Sequence, residues 1–200
     1  VNDGMIGNGN FAIVPAQSAA NEVERLLEAR GIEVVGSARQ APVPGDAALS
    51  TLAFVESEPL SDVLVELLHT SDNNTAELLL KEIGVRMRGE GTRAAGTSVV
   101  AERLAAWGVT VSGASLVDGS GLSRDNRLSC RTLSGVLAMS PVTADLLRLL
   151  PVAGRDGTLA NELVGTPAEG DLRAKTGTLT GVKSLAGVMD GDDGDPIEFA

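Results

Sequence analysis

The stretch Leu172-Arg173-Ala174-Lys175-Thr176-Gly177-Thr178-Leu179-Thr180-Gly181-Val182-Lys183-Ser184-Leu185-Ala186-Gly187-Val188-Met189 decides the reading of this chain. It divides into two adjacent strands, Leu172 to Thr178 and Val182 to Met189, joined around Gly181. The acidic run from Asp190 to Asp195 then makes a solvated turn before a third strand at Ile197-Glu198-Phe199-Ala200. An antiparallel sheet is therefore assembled late in the sequence. Inside its first strand stands Lys175-Thr176-Gly177, for which a strand end with a solvated lysine is the simplest account.

Upstream of the sheet the apolar spacing turns helical. Thr143 to Leu150 and Ser129 to Met139 read as short helices bracketed by Pro141 and Pro151. Val100, Leu104 and Trp107 recur at helical spacing between Thr97 and Gly108, and Val109-Thr110-Val111 then alternates like a strand. Ser61 is placed to cap a helix carrying Val63, Leu64, Leu67 and Leu68, and a second helix is expected from near Ser71 to Gly84. Further back, Ala19 to Arg30 reads as a helix stopped by Gly31 and followed by a strand at Ile32-Glu33-Val34-Val35. Gln40 to Gly45, with Pro42 and Pro44, is a rigid connector. Residues 1–15 read as loop, the tail of something upstream. The expected class is α/β, layered in the α+β manner, with helices against a late antiparallel sheet.

Composition narrows the function. Two hundred residues suit one domain or the larger part of one. Hydrophobic residues are 43% and charged residues 22%, as in a folded globular chain. Aromatics are only 2%, so the stacking surfaces that single-stranded nucleic acids use are scarce, and a net charge of −11 repels phosphate backbones and anionic lipid. No apolar run reaches the ~20 residues a membrane helix needs. A single cysteine, Cys130, forms no internal disulfide, and a single histidine, His69, does not anchor a Cys/His zinc site, so no metal is expected. Cys130 reads as a small core residue and His69 as a structural one. The opening at Val1 and the stop within a strand pattern lead us to expect truncation at both ends.

Ser71-Asp72-Asn73 precedes a helix, and its plainest role is an N-cap, since Ser, Asp and Asn accept the first free helical N–H groups. Read together with Lys175-Thr176-Gly177, it supplies two of the three elements of penicillin-recognising serine acyl-transferases, in their order. Ala174 to Gly187, preceded by Leu150-Pro151-Val152-Ala153-Gly154-Arg155-Asp156-Gly157-Thr158-Leu159 and by Asp118-Gly119-Ser120-Gly121-Leu122-Ser123-Arg124, closely resembles the D-alanyl-D-alanine carboxypeptidase/endopeptidase family S13 of low-molecular-mass penicillin-binding proteins.

That resemblance implies an exported, extracytoplasmic enzyme without cofactor. It would act on peptidoglycan stem peptides, be acylated by β-lactams, and be built as a helical cluster against an antiparallel sheet. It implies that Ser71 relays a proton to the leaving D-alanine nitrogen while Lys175 holds Ser71 and supplies positive potential. Asn73 would contact the nucleophile's lysine and the substrate amide, and Thr176 the terminal carboxylate. Gly177 would let the substrate approach the strand, and the Thr178 N–H would be one oxyanion donor. The family's Ser-x-x-Lys nucleophile does not occur: Lys81, Lys175 and Lys183 are preceded at three positions by Leu78, Leu172 and Thr180. The expectation is thus a C-terminal part, inactive alone, with residues 1–15 the tail of an inserted region and 16–200 belonging to the transpeptidase-like domain.

Two rivals stay open. A class A β-lactamase shares both triplets, but its Glu-x-x-Leu-Asn has no match here, since Glu77 and Glu169 lack the Asn. A non-catalytic module of the same fold is the other. Asp118-Gly119-Ser120-Gly121 reads as a tight turn, which the resemblance puts near the cleft.

Overall fold

The computed structural model describes residues 13–42, 50–139, 144–191 and 195–200, in two units divided between Glu56 and Ser57. In the first unit α1 (Pro15–Glu28) starts with proline in its first turn, where the missing N–H is no loss. Gly31, at φ 78°, turns the chain back along the helix. The strand expected at Ile32–Val35 does not form, because a strand exists only with a partner and none is described here. The returning segment is instead fastened to α1 by side chains: Gln17 donates to the Ala38 carbonyl at 2.8 Å, and the Ala38 N–H donates to Glu24 at 3.0 Å.

The second unit carries helices α2 (Leu60–Thr70), α3 (Asn73–Arg88), α4 (Arg93–Ala106), α5 (Cys130–Leu137) and α6 (Ala144–Arg148). It ends in strands β1 (Arg173–Leu179), β2 (Val182–Asp190) and β3 (Pro196–Phe199). The sheet is antiparallel in the order β1-β2-β3, with Lys175 opposite Ala186 and Gly177 opposite Ser184. Mixed α/β layering stands as the sequence implied. Part of the acidic turn, residues 192–194, lies outside the described residues, as do Pro141 and Thr143.

Several local expectations are corrected. Pro59, not Ser61, occupies the cap position of α2. The helix after Ser71 runs through Gly84 to Arg88 and ends at Gly89, whose φ is 75°. Gly84 is needed as a crossing point: a Cβ there would lie 2.5 Å from the Glu90 carbonyl and 3.2 Å from the Ala95 side chain. Val109–Val111 forms no strand. Val109 is buried, and the Thr110 carbonyl accepts a 2.8 Å bond from the hydroxyl of Thr132, which is 1% exposed in α5. Cys130, at the start of α5, is exposed rather than a core residue; the buried place in that turn belongs to Thr132.

The core beside the sheet is built from Ala153, Leu159, Leu172 and Ala174, with Leu185, Met189 and Phe199 packed on it. Residues 151–153 form the backing of β1: Ala153 N–H donates to the Leu172 carbonyl at 2.9 Å, and Ala174 N–H to the Pro151 carbonyl at 3.0 Å. This pairing covers only the start of the strand's outer edge.

Candidate active site

Two consecutive helices leave Ser71 and Asp72 between them. Asp72 caps α3, its Oδ1 accepting from the Asn74 N–H at 2.9 Å and its Oδ2 from the Thr75 hydroxyl at 2.5 Å. The capping that the sequence made the plain reading of the triplet therefore falls to Asp72. The hydroxyl of Ser71 is released for another partner. Ser71 closes α2 in the left-handed region, at φ 57° and ψ 48°, which non-glycine residues enter at a cost of about 1 kcal/mol.

That partner is Lys175. Its Nζ donates to Ser71 Oγ at 2.8 Å, across 104 residues of sequence, and to the Thr176 carbonyl at 2.8 Å. Burial pushes the Lys175 ammonium below the ordinary lysine value. The Thr176 hydroxyl is 3.0 Å from that of Thr158, which ties β1 to the 3-10 turn Gly157–Leu159.

Strand alternation orients the rest. Because Ala174 N–H points to the outer edge, toward Pro151, the N–H groups of Thr176 and Thr178 point there as well. Beyond Ala174 that edge opens onto a cleft of about 450 Å³. The cleft is walled by Ser71 and Asn73 on one side, Lys175 to Leu179 on another, and Gly119 to Leu122 on a third. Asn73, in the first turn of α3, is exposed to it. All six residues singled out from the sequence, Ser71, Asn73, Lys175, Thr176, Gly177 and Thr178, line this one cleft. A Cβ on Gly177 would run into the Ser184 hydroxyl of β2, so neighbouring-strand packing also favours glycine there.

Glu77 entered the sequence reading only as a rejected match to the β-lactamase glutamate, and its role in shaping the cleft was missed. It is 6% exposed, and its Oε1 holds the turn Asp118-Gly119-Ser120-Gly121 against α3. Only the positions of Glu77, four residues after Asn73 on the same helix face, hinted at it. His69 packs over Gly157, with its Nδ1 3.7 Å from Asp156.

The cleft joins a half-buried lysine to a serine hydroxyl beside outward-pointing strand N–H groups, and the sequence that builds it matches the D-Ala-D-Ala carboxypeptidase 3 (S13) family over residues 11–200. The chain belongs to the S13 family. It is 40% identical over 190 residues to the D-alanyl-D-alanine carboxypeptidase of Actinomadura sp. (strain R39), covering 90% of this chain and 35% of that protein. To the D-alanyl-D-alanine carboxypeptidase DacB of Haemophilus influenzae it is 34% identical, covering 95% of this chain and 41% of that one. The crystal structure of penicillin-binding protein 4 from Haemophilus influenzae, in complex with a β-lactam, superposes with a TM-score of 0.83 at 29% identity, covering 98% of this chain and 50% of that one. The S13 chain described here thus spans well under half the length of these curated relatives. Its fold is that of the S13 penicillin-binding proteins.

Proposed function

We propose that this chain forms the Ser-x-Asn and Lys-Thr-Gly walls of an extracytoplasmic serine DD-peptidase. The enzyme would cleave the terminal D-Ala-D-Ala of peptidoglycan stem peptides, with the D-alanyl crosslink to a diamino acid as a second substrate of the same chemistry. The observation that carries the reading is the 2.8 Å bond between Lys175 and Ser71 at the wall of an open strand edge.

The chemistry needs a serine hydroxyl to attack the penultimate D-alanine carbonyl. As the C–O bond forms and the C–N bond breaks, the hydroxyl proton must reach the departing amine. Ser71 lies where it can pass that proton on, and Lys175 orients it while supplying positive charge toward the developing oxyanion. The Thr178 N–H is one donor to the oxyanion, the Thr176 hydroxyl meets the terminal carboxylate, and Asn73 holds the substrate amide. Water then hydrolyses the ester. A β-lactam follows the same first half, its ring amide opening to leave a stable ester.

In this reading the nucleophile comes from a Ser-x-x-Lys element that the 200 residues do not contain, and residues 16–200 are the C-terminal part of the transpeptidase-like domain, after an inserted region ending near residue 15. A fluorescent penicillin tests it. The 200-residue chain is expected to take no covalent label, because loss of a serine nucleophile typically costs ~10⁶ in kcat. The longer chain that includes Ser-x-x-Lys is expected to label stoichiometrically. Label on the 200-residue chain, or none on the longer one, overturns the reading.

A further inference from the structure

The turn Asp118–Gly121 supplies one wall of the cleft yet belongs to no helix or strand. Its internal shape is set by Asp118, which accepts from Gly121 N–H at 2.9 Å, Ser123 N–H at 2.6 Å and the Asn126 side chain at 2.7 Å. Its position is set by something else. Glu77 Oε1 accepts three bonds from it: the Gly119 N–H at 3.1 Å, the Ser120 N–H at 3.1 Å and the Ser120 hydroxyl at 2.7 Å. Glu77 Oε2 accepts from Arg93 Nε, at the start of α4, at 2.6 Å. Burial pushes this carboxyl up, but the bonds from Arg93 and Ser120 outweigh it and hold it below the usual carboxylate value. The backbone of Gly119 is pressed so close to α3 that a Cβ would lie 2.5 Å from the Ala76 carbonyl. At its far end the same segment is tied to the β1–β2 turn, where Arg124 donates to the Thr180 carbonyl at 2.8 Å.

We propose that Glu77 is a positioning residue for substrate. By clamping Gly119 and Ser120 to the helix that carries Asn73, it sets the distance between the Asn73 wall and the wall formed by residues 119–122, and so the width of the channel along β1. Glu77 touches no reacting atom. Residues 119–122 line the cleft together with Leu179 and Val182, and on this proposal they meet the part of an extended peptide that a compact β-lactam lacks. The consequence rests on the DD-peptidase reading; the clamp itself does not.

Two measurements separate them. In the 200-residue chain, Glu77→Gln is expected to speed amide exchange at Gly119 and Ser120 about tenfold or more while leaving β1 and β2 amides unchanged, as a local opening does. Equal protection in both proteins overturns the clamp. In the longer enzyme that carries Ser-x-x-Lys, Glu77→Gln is expected to raise KM for a D-Ala-D-Ala peptide about tenfold, with kcat and the rate of acylation by benzylpenicillin within about threefold of the parent. A general loss of folded enzyme would lower peptide and penicillin rates together, and that outcome, or an unchanged KM, overturns the proposal. Ser120→Ala, which removes one of the three bonds, and Gly119→Ala, which crowds the contact and keeps the carboxylate, are expected to move KM in the same direction. They decide the matter if Glu77→Gln does not fold. A parent enzyme that binds no penicillin at all would count against the DD-peptidase reading, and the clamp would still be judged by exchange.

Discussion

Ser71 combines a hydroxyl engaged by a lysine with a backbone angle that suits glycine. The two demands can be separated. Ser71→Ala and Ser71→Gly both remove the hydroxyl, and in the longer enzyme both are expected to slow acylation by ~10²–10⁴, the usual scale for a lost proton-transfer group. Only Ser71→Ala keeps the Cβ in the left-handed region, so urea unfolding of the 200-residue chain is expected to show Ser71→Gly more stable than Ser71→Ala by about 0.5–1 kcal/mol. Equal stabilities would mean that the turn is not strained. Lys175 gives a pH dependence. Its charged form donates to Ser71, and burial lowers its proton affinity, so activity of the longer enzyme should fall as pH rises through a value below the ordinary lysine pKa of about 10.4. Stability should run the other way in that window, because there the unfolded chain binds more protons than the folded one. Lys175→Arg, which does not titrate, is expected to abolish that alkaline limb in a pH–rate profile, at the cost of a lower kcat from the changed fork geometry. At this scale the sequence was informative only through combination: neither Ser71-Asp72-Asn73 nor Lys175-Thr176-Gly177 decides alone, and the two in their order do. It gave no sign of the clamp made by Glu77, which it weighed only against the β-lactamase pattern, because a glutamate within a helix is most often solvated and the turn it holds lies 42 and 43 residues downstream.

Helices α3 and α4 meet through glycines. A Cβ on Gly96 would strike the Leu80 carbonyl and come within 2.8 Å of the Leu80 Cγ; on Gly84 it would strike Glu90. Helix propensity alone favours Gly96→Ala by ~1 kcal/mol. Overpacking at a backbone contact costs about 1–3 kcal/mol, and since Leu80 is itself buried with nowhere to retreat, we expect a net loss of about 1–2 kcal/mol in denaturant titration. A stabilised Gly96→Ala would show that the helices separate freely. The same glycines explain why element boundaries were only partly legible. A glycine in a helical pattern signals either an end or a crossing, and Gly84 is a crossing while Gly89, five residues on, is the end. Strands were legible where the partner is the next segment, as in the β1–β2 hairpin. They were overpredicted at 32–35, where Ile32 and Val35 are exposed and no partner strand is described, and at 109–111, where Val109 instead fills the space beside Gly135 in α5.

Across the molecule, the layering of helices and late sheet followed from the change of apolar period near residue 172. The division between Glu56 and Ser57 had no marker beyond a proline-bearing stretch. Nor could periodicity say that the two triplets meet; that came from their order and type, and the distance came from the fold. Their separation by 104 residues sets a schedule. During synthesis at ~5–20 residues per second, Lys175 emerges roughly 5–20 s after Ser71. In that interval the α3–α4 pair, joined by the short segment 89–92, has all its partners, whereas the lysine that completes the cleft has not yet been made. Pulse-labelled exchange during refolding is expected to protect α3 and α4 amides before those of β1; simultaneous protection would mean that the sheet drives folding. A chain made or folded only as far as α4 therefore holds Ser71 without the ammonium that bonds it in the finished cleft, so the pair exists only once β1 has been laid down beside the helices.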